Sequence, residues 1–307
     1  MSPSAQSSNS AVRIVTVCIC TYKRPQLLRR ALEAVAQQHT NDSIRFSIVV
    51  VDNDASQSGK EVVLAFAAAR AVETIYAVEP EQNIALARNR ALANARGDFV
   101  AFIDDDEFPC RDWLLLMLKN CEETDVAGVL GPVRPFFDRQ PPAWLVRGKF
   151  CERPELTTGS LLKWRQTRTG NVLFRKEILE EVGEPFRRGF SNGGEDQDFF
   201  KRMMENGHRF IWCNEAVVYE VVPPERWKRR YVLKRALLRG QNERLFLNAR
   251  SLAKSTLAVL LYGALLPFLL FLGQHVFMNY AAKLVGHLGK LISALGIRPM
   301  GKKYIDG

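Results

Sequence analysis

Three short runs, "RIVTVCIC" (13–20), "FSIVVVD" (46–52) and "DFVAFID" (98–104), decide what the first third of this chain can become. Each is rich in Val, Ile or Phe and apolar almost throughout, the pattern of a strand buried on both faces. Between them the periodicity changes to that of helices, in "PQLLRRALEAVAQQ", with Pro25 in its first turn, and in "NIALARNRALANA". Strands and helices alternating in this way build βαβ units around a mixed, mainly parallel sheet. The fold class is therefore α/β, and "TIYAV" (74–78) supplies a further strand.

These strands also share their endings. The second stops at Asp52 and the third at Asp104, so polar side chains gather at the carboxyl ends of strands, where open α/β sheets bind ligands. The third runs on as "FIDDDEFP", four acids in succession. Adjacent carboxylates repel one another, so such a cluster calls for a cation or strong donors nearby. Alternation along an extended chain puts Asp104 and Asp106 on one side, a geometry suited to a divalent metal and a ribose or diphosphate. The competing reading is a polar turn that caps the next helix. No GxGxxG follows the first strand and no GxxxxGK[ST] occurs, so a nucleotide would have to bind through a metal and strand-end acids.

A second acidic cluster, "SNGGEDQDFF" (191–200), sets two glycines against Glu195, Asp196 and Asp198. Acids in a first turn complement the helix dipole, which explains the helix but not the glycines. Residues without side chains leave room for close approach to those acids.

Elsewhere the first 225 residues are less regular. "VAGVLGPVRPFF" reads as a bent strand, 136–165 as an irregular loop, "RTGNVLFRKEILEEVG" as strand then helix, and "RFIWC" as a strand. Trp144 and Trp164 flank the loop; such residues are more often core or interface than ligand platforms. His39, His208, His275 and His287 lie in no motif with metal spacing and read as structural or surface residues. The opening "MSPSAQSSNSAV" lacks the apolar core of a signal peptide, so a cytoplasmic protein is expected, with its six scattered cysteines reduced.

The formal charge of +10 is concentrated late in the chain. Arg226 to Lys254 carries ten Lys or Arg against one acid, Glu243, and runs into the uncharged "TLAVLLYGALLPFLLFLG" (256–273). A basic segment before an apolar one suggests an anionic membrane surface. The apolar run has about the minimum length of a membrane span, but basic residues flank it on both sides. That favours a re-entrant or interfacial hairpin kinked at Pro267; a true span and a soluble helix pair remain open. In the helix that follows, Lys283, His287 and Lys290 recur as one polar stripe.

Taken in order, "VTVCICTYKRP", "IVVVDND", "EQNIALARNRAL", "FIDDDE", "TGNVLFR", "GGEDQDF" and "EAVVYEVVPPER" resemble a bacterial family 2 glycosyltransferase with the GT-A fold. With "GQHVFMNYAAKLVGHLGKL", the resemblance extends to succinoglycan biosynthesis glycosyltransferases of the ExoM type and covers nearly the whole chain. It implies inverting, metal-dependent transfer of a sugar from a nucleotide donor, a UDP-sugar, to a lipid-linked oligosaccharide at the cytoplasmic face of the inner membrane. It further implies that Thr21, Tyr22 and Arg24 border the nucleotide, that Asp52 reads its base, and that Asn53 and Asp54 continue that loop. Asn83, Arg88 and Asn89 fall on the helix beneath the diphosphate, with Ala85 where the family often has Gly. Asp104 and Asp106 match the two acids of the DxD motif, with Asp105 beside the nucleotide and Asp106 the main ligand of Mn2+ or Mg2+. Asp196 matches the catalytic base, Glu195 would orient the acceptor, and Glu220 stands where many relatives have His.

The expected organisation is a disordered tail (1–12), a GT-A catalytic domain (13–225) and a basic, apolar, membrane-associating helical segment (226–307). Two rival classes are a sugar-phosphate nucleotidyltransferase and a non-catalytic basic protein that binds membrane or nucleic acid. The apolar tail and GGED loop weigh against the first. No recognisable nucleic-acid fold or stacking motif accompanies the basic segment, so no nucleic-acid partner is expected.

Overall fold

The computed structural model describes residues 12–190, 194–242 and 248–297. The tail to residue 11, residues 191–193 with Gly193 of the GGED motif, and Glu243 lie outside the described residues. The chain forms two compact units, one holding 12–133, 154–190 and 195–220, the other 134–153, 194 and 221–297 of the described residues.

In the first unit the chain runs β1 (Arg13–Thr21), α1 (Pro25–Ala36), β2 (Ile44–Asp52), α2 (Lys60–Ala69), β3 (Thr74–Val78), α3 (Ile84–Asn94) and β4 (Phe99–Phe102). Then follow β5 (Glu107–Pro109), α4 (Trp113–Glu123), β6 (Gly128–Leu130) and β7 (Val133–Phe136), whose later residues belong to the second unit. A short α5 (Ala143–Arg147) falls in the second unit, and β8 (Val172–Arg175), α6 (Glu195–Glu205), β9 (Phe210–Trp212) and β10 (Val218–Val221) complete the order to residue 221.

Seven strands make one sheet in the order β3-β2-β1-β4-β8-β6-β9. The pairs from β3 to β4 are parallel; β8 then runs antiparallel to both β4 and β6, and β9 returns parallel to β6. The sheet is thus mixed and mainly parallel, as expected. Alternation along β1 and β2 sends Val15, Val17, Ile19, Ile48 and Val50 to one face, under Leu28 and Leu32 of α1 and Trp113 and Met117 of α4. Cys18, Val49 and Val51 go to the other, under Ala85, Ala87 and Ala91 of α3 and Phe199 and Phe200 of α6. Register sets Thr21 opposite Asp52 and Asp52 opposite Val78, so three strands end level at one edge.

The structure departs from the sequence reading in four places. The segment 136–165 contains α5, and "KEILEE" is a 3-10 helix where an α-helix was read. The bent strand around Gly131 and Pro132 is two strands, β6 and β7. Finally, α4 was not picked out, because its apolar residues "WLLLML" run together without a clear period.

The second unit is dominated by α7 (Arg229–Asn242), α8 (Ala249–Leu269) and α9 (Gln274–Ala294). Asn248 caps α8, its side chain accepting from the Ser251 amide at 2.8 Å. The helix continues through Pro267 and a 3-10 turn, Leu270–Leu272, and the chain reverses at Gly273, whose φ of 105° suits glycine. The reversal is therefore at Gly273, and Pro267 sits in the last turn of the helix. Tyr262 stacks edge-on against Tyr280, and Ser255 lies 3.1 Å from His287, so α8 and α9 pair antiparallel. His287 consequently belongs to the helix interface and not to a common solvent stripe with the exposed Lys283.

Candidate active site

At the level edge of the sheet the acids meet the loop that follows β1. The strand β4 ends at Phe102 and the next residues turn: the Glu107 amide donates to the Asp104 carbonyl at 3.1 Å, with Asp105 and Asp106 in the bend. The extended alternation expected of Asp104 and Asp106 therefore does not apply, because the backbone closes a turn before it can alternate. Two environments result. Asp105 and Asp106 are buried, at 5% and 7% exposure, and share one guanidinium nitrogen of Arg24, 3.4 Å from an oxygen of each. Thr21 Oγ1 donates to Asp105 at 2.8 Å. Asp104, about half exposed, faces Arg88 at 3.9 Å.

Burial, followed by the neighbouring Asp106, holds the Asp105 carboxyl well above the ordinary carboxylate range; Arg24 and Thr21 only partly offset this. One arginine thus serves two buried carboxylates. The donor set is one of hard oxygens with more negative charge than its neighbours neutralise, which fits a divalent cation of the Mg2+ or Mn2+ type. Among the described residues no three His, Cys, Asp or Glu side chains close around one point. A cation here would take its remaining oxygens from a ligand or water. Tyr22 borders this loop beside Lys23, whose ammonium lies 5.2 Å from its ring and whose φ is 54°.

Asp52 is fully buried. Its Oδ2 accepts from the Gly59 amide at 2.7 Å and the Tyr76 hydroxyl at 3.0 Å, and its Oδ1 from the Asp54 amide at 3.1 Å. Its geometry organises the loop after β2. Asn53 donates to the Glu79 and Glu81 carbonyls and accepts from the Asn83 amide, tying that loop to the start of α3. Asn83 caps α3 by accepting from the Ala85 amide at 3.0 Å and also donates to the Arg188 carbonyl. Asn89 clamps the backbone of Phe186 with both ends of its amide, at 2.7 and 2.9 Å.

Arg88 is buried at the centre of this helix and reaches Glu195, the first residue of α6, in a close ion pair. The same guanidinium looks toward Asp104, so one cation joins the acidic turn to the GGED segment. Burial raises the Glu195 carboxyl, and Arg88 pulls it back. Glu195 Oε2 is buried with no hydrogen-bond partner among the described residues. Gly194 has φ 97°, a conformation open to glycine, and Asp196 follows Glu195 half-buried in the first turn of the helix. Asp198 belongs to a different network, with Arg202 at 2.9 Å and Arg187 at 3.4 Å.

Two contributors carried no signal of their own. A side chain on Gly170 would land 3.1 Å from Asp104 Oδ2 and 2.9 Å from Glu107 Oε1. Asn171, with φ 63°, accepts from Trp113 Nε1 at 2.7 Å and donates to the Pro132 and Ala216 carbonyls. Their positions in "TGNVLFR" were quoted only as part of a motif. Glu107 and Glu220 stand opposite one another in the antiparallel β5–β10 pair, both buried. Trp164 carries the Arg165 guanidinium 4.1 Å from its ring, so a cation already covers part of its face.

Residues 16–183 match the family model described as Glycosyl transferase family 2. The chain is 34% identical to the succinoglycan biosynthesis protein ExoM of Rhizobium meliloti over 229 residues, 74% of this chain and 73% of that protein. It is 26% identical to the glycosyltransferase AglE of Haloferax volcanii, over 68% of this chain and 67% of that one. Among solved structures, the mannosyltransferase of Pyrobaculum calidifontis, in complex with GDP-Man and Mn2+, superposes with a TM-score of 0.63 at 20% identity, covering 92% of this chain and 88% of that one. S. aureus TarS 1–349 with UDP-GlcNAc gives 0.56 at 18% identity, covering 93% of each chain. At these identities the two structures speak for the fold alone. The family model and the ExoM match together establish that this chain belongs to glycosyl transferase family 2 and is a glycosyltransferase with the GT-A fold.

Proposed function

We propose that the enzyme transfers a sugar, with inversion, from a UDP-sugar to a lipid-linked oligosaccharide during assembly of an exopolysaccharide or cell-surface polysaccharide. One observation carries this reading: Thr21 and Arg24, the turn 104–106, Arg88 and Glu195, far apart in sequence, form one connected network of hydrogen bonds and ion pairs.

Asp106 and Asp104 would hold a divalent cation. Bound there, the cation neutralises charge on the departing nucleoside diphosphate, a contribution of several kcal/mol by the usual measure of Lewis-acid stabilisation. Asp196 accepts the acceptor hydroxyl proton as oxygen attacks the anomeric carbon. Glu195, fixed through Oε1 by Arg88, offers Oε2 to orient that acceptor. Asp52, Asn53 and Asn83 hold the walls of the nucleotide site through their hydrogen bonds to backbone amides and carbonyls. Solved neighbours holding UDP-GlcNAc or GDP-Man support a nucleotide-sugar donor, and a relative named for succinoglycan biosynthesis supports a role in polysaccharide assembly. Residues 13–225 make the catalytic part. The segment 226–307 brings it to the cytoplasmic surface of the inner membrane, where the acceptor resides.

Calorimetric titration with UDP, GDP and UDP-glucose, with and without Mn2+, tests the donor site. Metal-dependent UDP binding that disappears in Asp106→Ala supports the reading; a folded protein that binds none of the three overturns it.

A further inference from the structure

The membrane reading leaves open how the apolar helix meets lipid. Ala249–Leu272 is long and apolar enough to cross a bilayer, and no charge occurs from Leu257 to Leu272. Exposure divides its circumference into two unequal parts. At 100° per residue, the covered residues Ser255, Ala258, Val259, Tyr262, Leu266 and Leu269 share an arc of about 100°, the side on which Ser255 and Tyr262 meet α9. Leu260, Gly263, Ala264, Leu265, Pro267 and Phe268 are exposed over the remaining arc of about 200°. A single partner helix covers a stripe of about 100°, so a helix of a second copy would leave half of this arc bare. A lipid surface covers all of it.

Protein and charge at both ends of the α8–α9 pair set its direction. Helix α9 meets α8 through Tyr280 and His287. About 120° around its axis it presents Asn279, Gly286, Gly289 and Ser293 to other parts of the same unit. At the reversal end Asn279 donates to the Gly148 carbonyl at 3.2 Å, and Arg229 lies against Gln274. At the far end Gly289 meets the Leu237 backbone, and Ser293 Oγ donates to the Gln241 carbonyl at 3.2 Å. Helix α7 thus accompanies α9 from Gln274 to Ser293, with Lys228, Arg229, Arg230 and Lys234 exposed. A span or a re-entrant hairpin would carry the reversal into hydrocarbon, and Arg229 and the Gly148 backbone with it, where charged side chains and irregular backbone are costly. The open end is no better suited to depth, since Arg250 and Lys254 are exposed there. Neither end can sink ahead of the other.

We infer that α8 lies lengthwise in the surface of one leaflet, its axis in the membrane plane, with the exposed arc toward the acyl chains and α9 and α7 on the aqueous side. The occupant of the arc is an anionic phospholipid surface, whose headgroups Arg250 and Lys254 reach from the start of the helix. The whole apolar stretch then sits at one depth, about 5–10 Å into the headgroup and acyl boundary. This inference rests on the membrane reading above and specifies it.

The test places a genetically encoded fluorescent amino acid at Leu257, Ala264 or Phe271 of the full chain, one position at a time. The protein is bound to vesicles of phosphatidylethanolamine and phosphatidylglycerol whose acyl chains carry quenching bromine at different depths. Leu257 and Phe271 are about 21 Å apart along a helix axis. A helix in the membrane plane gives three probes quenched best by the shallowest bromine, at depths within about 5 Å of one another. Quenching at Ala264 or Phe271 that is strongest with bromine near the chain ends overturns the in-plane helix and leaves membrane association standing. Flotation with the same vesicles supplies the second arm. Leu260→Asp and Phe268→Asp, each with an unchanged helical circular dichroism spectrum, should lower the floated fraction about tenfold. If wild type does not float, the membrane reading and the in-plane helix fall together. If the two variants float normally but turn a dimer into a monomer by light scattering, the arc binds a second copy and the inference is wrong.

Discussion

Arg88 and Glu195, 107 residues apart in the chain, form a buried ion pair, and the same guanidinium faces Asp104. Breaking a buried pair from one side leaves an uncompensated charge, so Arg88→Met should destabilise the protein by about 3–5 kcal/mol in urea unfolding. Arg88→Met with Glu195→Gln should recover part of that loss. A single variant that costs less than about 1 kcal/mol would mean the pair is solvated in solution.

Asp196→Asn should lower kcat by about a hundredfold to ten-thousandfold, the usual span for a general base, and leave UDP binding intact. Asp106→Ala should lose both turnover and metal-dependent binding. Single-turnover kinetics beside calorimetry separates the two, and normal turnover by Asp196→Asn removes it from the role of base.

Asp105 gives the metal-free protein a specific pH dependence. Its carboxyl is raised from 3.8 to about 7 in the folded state, first by burial and then by Asp106. Between those values the folded protein binds the extra proton, so this contribution to stability is present below about pH 4 and is lost as pH rises through about 7. Thermal midpoints measured with chelator from pH 4 to 8 should fall less steeply in Asp105→Asn than in wild type. Equal slopes would show that another group carries the effect.

Gly170→Ala places a methyl group against Asp104 and Glu107, and those carboxylates must shift to receive it. The Mn2+ concentration for half-maximal activity should rise about tenfold, the scale of changes just outside a metal's ligands. An unchanged metal requirement would show that the acids move without consequence.

The strands β1, β2 and β4 were legible because parallel strands buried on both faces write continuous runs of Val, Ile and Phe, which no amphipathic helix does. The acidic turn was legible as a cluster but not as a shape, since extending the period of β4 into Asp104–Asp106 ignored the reversal that the Glu107 amide closes. Resemblance put Arg88 on the helix beneath the diphosphate, and its ion pair with Glu195 of α6 was not legible because the two come close only after folding. Gly170 and Asn171 act through a missing side chain and a left-handed backbone, and one sequence does not display either. In the tail, the reversal at Gly273 was not legible, because Pro267 is the stronger chain-breaker in the sequence while the helix runs on through it.

The glycine seam between α7 and α9 also separates two kinds of evolutionary freedom. Gly240, Gly286 and Gly289 meet backbone with no room for a methyl group at Gly240 or Gly289, so those two positions are closed to exchange. The exposed leucines and phenylalanines of α8 touch little protein and tolerate any apolar replacement. A lineage could therefore change the apolar surface of α8 one residue at a time, and the seam that holds α7 against α9 would not register the change.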